Sequence, residues 1–191
     1  MRINIFLSIT LFSLFATGCG TSADKPTTEN NKVNRSNLDS LMATSDKTKI
    51  IISIDDDISA VWDEDSLNRF TEAQKDFHYI QELEREINNG GFNQYFFNSS
   101  GNYAHETLIA LKAIGANNTA KMLQNAINEF PDHLVPKDWE KRQKIVTRIE
   151  AKANPVWDKL DDEYFAITPA TEYLDDLCID YIKRYQKDFE R

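Results

Sequence analysis

The sequence predicts an all-α protein: a single compact domain of about six to seven short helices, behind a signal peptide and a flexible tether. Three observations predict it. Apolar residues recur at three- and four-residue steps over most of the chain after residue 71, glycines and prolines fall between those stretches, and no two strand-like runs are available to pair. The expected division is residues 1–18 as signal, 19–49 as modified cysteine and tether, and 50–191 as the acidic helical domain.

The N-terminus has the three-part layout of an export signal. Arg2 supplies a positive start, and residues 5–16 form an uncharged, mostly apolar run. At twelve residues, that run is too short to cross a ~30 Å hydrocarbon core as a helix. Ala16-Thr17-Gly18-Cys19 follows. This segment resembles a bacterial lipoprotein signal. The resemblance implies cleavage after Gly18 and acylation of Cys19, with two or more acyl chains anchoring stably where one does not. It also implies a cell-envelope location, at the outer rather than the inner membrane, since Gly20 after the cysteine is not an acidic retention residue. Cys178 is the other cysteine of the chain. It falls on the apolar side of a predicted helix and reads as a small buried hydrophobe, with no histidine placed to activate it. From Gly20 to about Lys49 the chain is rich in Thr, Ser, Asn and Lys, which suits a tether. Leu38, Leu41 and Met42 are the residues there with the means to dock a helical turn on the domain.

Within the domain, Ile50 to Ile54 is β-branched and reads as a short strand, an extended lead-in or a first helical turn. Asp55-Asp56-Asp57 reads as the acidic start of a helix. A calcium loop is excluded by spacing, since the sixth and twelfth positions are Ala60 and Ser66. Residues 71–88 carry Phe77, Ile80, Leu83 or Glu84, and Ile87 on one face. His78 and Glu82, four apart, read as a solvated hydrogen-bonded pair. Gly90-Gly91 ends that helix, and a short one follows with Phe92, Tyr95 and Phe96 sharing a face. Gly101 closes it, and Gly115 terminates the next helix. His105-Glu106 lacks the second histidine of a zinc-protease helix. Asn117 or Asn118 is expected to cap a helix that Pro131 stops. Pro136 opens another, with Trp139, Val146 and Ile149 inward, and Asn154-Pro155 is expected to break it. Thr168-Pro169-Ala170 leads into the last helix, whose acids come first and bases last, in keeping with the helix dipole.

Charge narrows the function. The chain has a net charge of -9, unevenly spread. Residues 1–49 hold six Lys/Arg against four Asp/Glu, while residues 50–191 hold 16 against 27. A domain this acidic is repelled by nucleic-acid phosphates and anionic headgroups, so a basic protein surface is the favoured partner and direct nucleic-acid binding is not expected. The candidate acidic surface is Asp161, Asp162, Glu163, Glu172, Asp175, Asp176 and Asp180. No catalytic constellation, cofactor motif or metal-ligand set stands out.

The run Asn88-Asn89-Gly90-Gly91-Phe92, then Gln94-Tyr95-Phe96, Asn98, Gly101 and the Ala110–Ala116 stretch resembles the bacterial DNA-mimic protein family over roughly residues 65–190. The resemblance implies an all-α fold, no catalysis, and an acidic surface that imitates DNA and binds a transcription regulator. The motif residues read as structural, so the resemblance transfers no acidic binding residue by position.

Three functions remain in view. The first is an acidic binding module on the envelope. The second is an immunity-type protein that neutralises a basic toxin. The third is an envelope hydrolase using Asp161, Asp162, Glu163 and His133, which neither spacing nor motif supports.

Overall fold

A computed structural model describes residues 35–167 and 171–190. The signal, Cys19, residues 20–34 of the expected tether and the Thr168-Pro169-Ala170 lead-in lie outside the described residues. Eight α-helices and no strand are found among the described residues: α1 Arg35–Met42, α2 Lys47–Ser59, α3 Glu72–Phe97, α4 Ala104–Ile114, α5 Asn117–Ile127, α6 Trp139–Phe165, α7 Leu174–Arg184 and α8 Gln186–Phe189. The all-α expectation holds. The helices are not all short, however: α3 has 26 residues and α6 has 27.

Packed structure begins earlier than residue 50. Leu38 on α1 is fully buried, and Leu41 and Met42 lie against the same core. Asp46 caps α2, accepting from the Lys49 N–H at 3.0 Å. The Ile50–Ile54 run is therefore helical, with Ile50, Ile51, Ile54 and Ile58 buried along one stripe. A lone strand would have had nothing to pair with.

The centre of the fold is α3, which packs against α2, α4, α6, α7 and α8. A reciprocal cap starts it: the Gln74 N–H donates to Thr71 Oγ1, and the Thr71 N–H donates to Gln74 Oε1. The double glycine interrupts it as expected. Gly90 is extended, and Gly91 takes φ 74 and ψ -171, a region open to glycine and closed to other residues. The chain re-enters helix at Phe92. There the Phe92 N–H donates to Asp161 Oδ1 at 2.9 Å, so a carboxylate from α6 caps the second segment.

Beyond the kink, Phe92, Tyr95 and Phe96 are fully buried. Phe96 packs on Phe130 at 4.8 Å and Trp157 at 5.3 Å between ring centroids. Gln94 and Asn98 donate to the Glu86 carboxylate, and the Ser100 hydroxyl is shared between Glu86 and Glu82, tying the new segment back to the helix before the kink. Asn88 and Asn89 are exposed and take no part in these bonds. The amides of this motif thus serve a carboxylate rather than the backbone.

Arg142 fastens the end of α3. It is fully buried, and it donates to the carbonyls of Phe96, Asn98, Pro136 and Lys137 at 2.7–3.1 Å. Gly101 fits because a Cβ there would stand 2.8 Å from the Tyr95 carbonyl and 2.9 Å from Arg142 Nε. Gly115 takes φ 89 and ends α4, as expected.

Pro155 does not break α6. Proline removes one helical hydrogen bond and crowds the preceding turn, at about 3 kcal/mol. The neighbouring tertiary contacts offset this: Ala153 and Trp157 are fully buried on either side, and Trp157 Nε1–H donates to the Ala126 carbonyl at 3.1 Å. Pro136 does not open that helix either. Asp138 caps it, and Trp139 is half exposed rather than inward.

Between α3, α6 and α7 lies a semi-buried polar contact. Glu84 is hydrogen-bonded to Tyr164 and faces Asp175, and burial first, then Asp175, pushes its carboxyl up to about 7 from the ordinary 4.5. The folded state therefore holds a proton there that the unfolded chain releases. Stability from this group is full below pH 4.5 and lost as pH rises through about 7. Glu84→Gln is expected to stabilise the protein at pH 8 by on the order of 2–3 kcal/mol, with little effect near pH 4.5. Chemical denaturation at both pH values measures it. An equal effect at both would show that the carboxyl is not perturbed.

Candidate functional site

The expected acidic surface separates into structural and surface carboxylates. Asp161 caps the segment after the kink. Glu172 caps α5: its carboxylate accepts from the backbone N–H groups of Asn118 and Thr119 at 2.8 and 2.9 Å, and from Thr119 Oγ1 at 2.6 Å. The asparagines expected to cap that helix do not. Asp175 and Asp176 occupy the first turn of α7, where the dipole favours them, and Asp176 also pairs with Lys47 at 2.5 Å. Glu163 pairs with Lys159 and Asp180 with Lys183. Asp162 is exposed. Most of these acids therefore have a local structural explanation.

Of the hydrolase candidates, Asp161, Glu163 and His133 are engaged locally, while Asp162 is exposed. His133 is exposed in the turn between α5 and α6, its Nδ1–H donating to the Asn128 carbonyl. Cys178 is fully buried, and burial pushes its thiol well up, which disfavours the nucleophilic thiolate. Among the described residues, no group of three His, Cys, Asp or Glu side chains is placed to share a metal ion.

A different acidic segment is explained only in part, Asp55 by its pairing with Arg85. Residues 55–65 contain six carboxylates and no Lys or Arg. Asp55-Asp56-Asp57, expected at the start of a helix, lie near the C-terminal end of α2. There the helix dipole opposes negative charge, by about 0.3–1 kcal/mol for each exposed group. The reversal follows from the Ile50–Ile54 run being part of the helix. Burial and then Asp56 raise the pKa of Asp57, and burial also raises that of Asp55.

This segment forms one wall of a cavity of about 380 Å³. Asp55, Asp56, Trp62 and Asp63 come from α2 and the stretch after it. His78, Glu82 and Arg85 come from α3, and Ser100 and Tyr103 from the turn before α4. Arg85 bridges Asp55, at 2.6 Å, and Glu82. Glu82 also accepts from Ser100 Oγ at 2.7 Å. One guanidinium thus stands among four carboxylates.

His78 is not the solvated partner of Glu82 that the spacing implied. It is 5% exposed, and its ring stacks on Trp62 at 3.7 Å between centroids. Its Nδ1 is buried without a hydrogen-bond partner. Burial, against an opposing pull from Glu82, lowers its pKa to about 4, so the ring is neutral at physiological pH. Nothing in the sequence signalled this cavity, because its walls come from three separated segments.

The fold and this surface define a helical domain that carries an acidic, aromatic-walled recess. The chain belongs to the DMP19-like protein family, a family of DNA-mimic proteins, whose profile matches residues 68–185. No curated protein and no solved structure matches the chain. The family match covers the His78, Glu82 and Arg85 wall of the cavity. The acidic segment 55–65 lies upstream of it.

Proposed function

We propose that the protein is a non-catalytic acidic binding module, held at the cell envelope through an acylated Cys19. Its 55–65 face engages a basic protein surface of the kind that otherwise grips nucleic-acid phosphates. The observation that carries this reading is the placement of Asp56 and Asp57, both exposed, at the dipole-disfavoured end of α2, in a stretch of sequence that has no Lys or Arg from residue 55 to 65. Acids serving solubility alone would do as well at dipole-favoured ends, where Asp175 and Asp176 sit. Sites that break a local rule without a structural return are where function concentrates. Membership in a DNA-mimic family favours a DNA-binding protein as the class of partner. Export would make that partner an envelope or secreted protein.

The test is competition. A labelled duplex bound by a purified basic DNA-binding protein is expected to be released by the full chain, with release weakening as salt rises. The triple variant Asp56→Asn, Asp57→Asn, Asp63→Asn is expected to lose about tenfold in potency, three screened charges at roughly 0.5 kcal/mol each. No release at low salt, or equal potency of the variant, would end the proposal. Mass spectrometry of the envelope-extracted chain reads acylation of Cys19 directly.

A further inference from the structure

We propose that the cavity walled by Trp62 and His78 receives an arginine side chain from a basic protein partner, with His78 Nδ1 and the Asp56 carboxylate accepting its N–H groups. This deepens the binding-module reading and rests on it.

Three features select the ligand. The cavity carries an excess of carboxylate over guanidinium, which favours a cation and repels an anion. His78 offers a buried ring nitrogen without a partner, and a neutral imidazole supplies one acceptor when its other nitrogen holds the proton. An unmade hydrogen bond of this kind has a cost that a donor entering the cavity removes. Trp62 and Tyr103 add aromatic surface, their rings edge to face at 6.3 Å.

Among cationic side chains, a planar guanidinium fits this set better than an ammonium. It presents five N–H donors in fixed directions, so one edge can reach a ring nitrogen while another meets carboxylates. It is also more weakly hydrated and lies readily against aromatic rings. Arg85 shows that the site already holds one guanidinium between Asp55 and Glu82. The volume of about 380 Å³ leaves room for a second planar group beside it.

The experiment uses the purified full chain with nitrogen-15 labelled histidine, titrated with the tripeptide Gly-Arg-Gly. Gly-Lys-Gly and Gly-citrulline-Gly are run in parallel. The Nδ1 resonance of His78, assigned through His78→Gln, is expected to move saturably with the arginine peptide. The lysine peptide is expected to bind several-fold more weakly, and the uncharged citrulline peptide about tenfold more weakly or not at all. Asp56→Asn, at an exposed position and so no threat to folding, is expected to weaken the arginine response severalfold. An unmoved His78 signal, an equal response to citrulline, or indifference to Asp56→Asn would overturn the proposal. If the duplex-release assay still succeeds in that case, the acidic module stands and only the arginine pocket falls. If release also fails, both fall together.

Discussion

Replacing Arg142 by methionine is expected to destabilise the fold by about 3–5 kcal/mol, the range seen when one partner of a buried charged contact is removed. The side chain is fully buried and has four carbonyl partners in place of a carboxylate. Two of them, Phe96 and Asn98, belong to the closing turn of α3, where the unpaired carbonyls carry the negative end of the helix dipole. Methionine keeps much of the volume but leaves those carbonyls without a donor, at about 1–3 kcal/mol for each one that water cannot reach. Lysine is expected to recover only part of the loss, because one ammonium cannot reproduce the fork of the guanidinium. Arg85→Met is the control. It removes the same charge from a side chain 44% exposed, and should shift stability by less than about 1 kcal/mol. Urea melts of the three variants separate the cases. A loss at Arg142 no larger than that at Arg85 would mean that the carbonyls find other donors.

The second large effect is expected at Gly91. Alanine there must adopt φ 74 with ψ -171, which carries strain of about 1–3 kcal/mol. Its Cβ would also stand 2.7 Å from Asp161 Cγ and nearer still to one carboxylate oxygen. The carboxylate must move, and the Phe92 N–H loses its cap, at roughly 1 kcal/mol more. A total of about 3 kcal/mol is expected from thermal or urea unfolding. Gly115→Ala provides the comparison. Its φ of 89 is also left-handed, but nothing lies within 4 Å of the new methyl, so about 1 kcal/mol is expected. Equal losses at the two sites would show that the contact with Asp161 is not what requires glycine at position 91.

The parts of this fold legible from sequence are those fixed by nearby residues. The stripes of α3 and α7, the helical segment after the double glycine, and the stop at Gly115 all follow from periodicity and φ preference, and all are present. The misreadings share one cause, which is distant partners. Pro155 looks like a breaker until Trp157 is seen bonded to Ala126 across the core. Ile50 to Ile54 looks like a strand until its apolar side is seen buried in the common core. Glu172 looks like a free surface acid until α5 arrives beneath it. The candidate site was hidden for the same reason, with His78 appearing as an ordinary exposed residue on a helix until Trp62 closed over it.

The two borrowed caps also bear on how the polypeptide is made. The carboxylate that caps Phe92 comes from 69 residues downstream, and the one that caps α5 comes from 53 and 54 residues downstream. On the ribosome, neither helix start can be completed until the last third of the chain has emerged. Each of these caps, at about 1 kcal/mol, is therefore among the last stabilising contacts of the domain to become available as the chain is made.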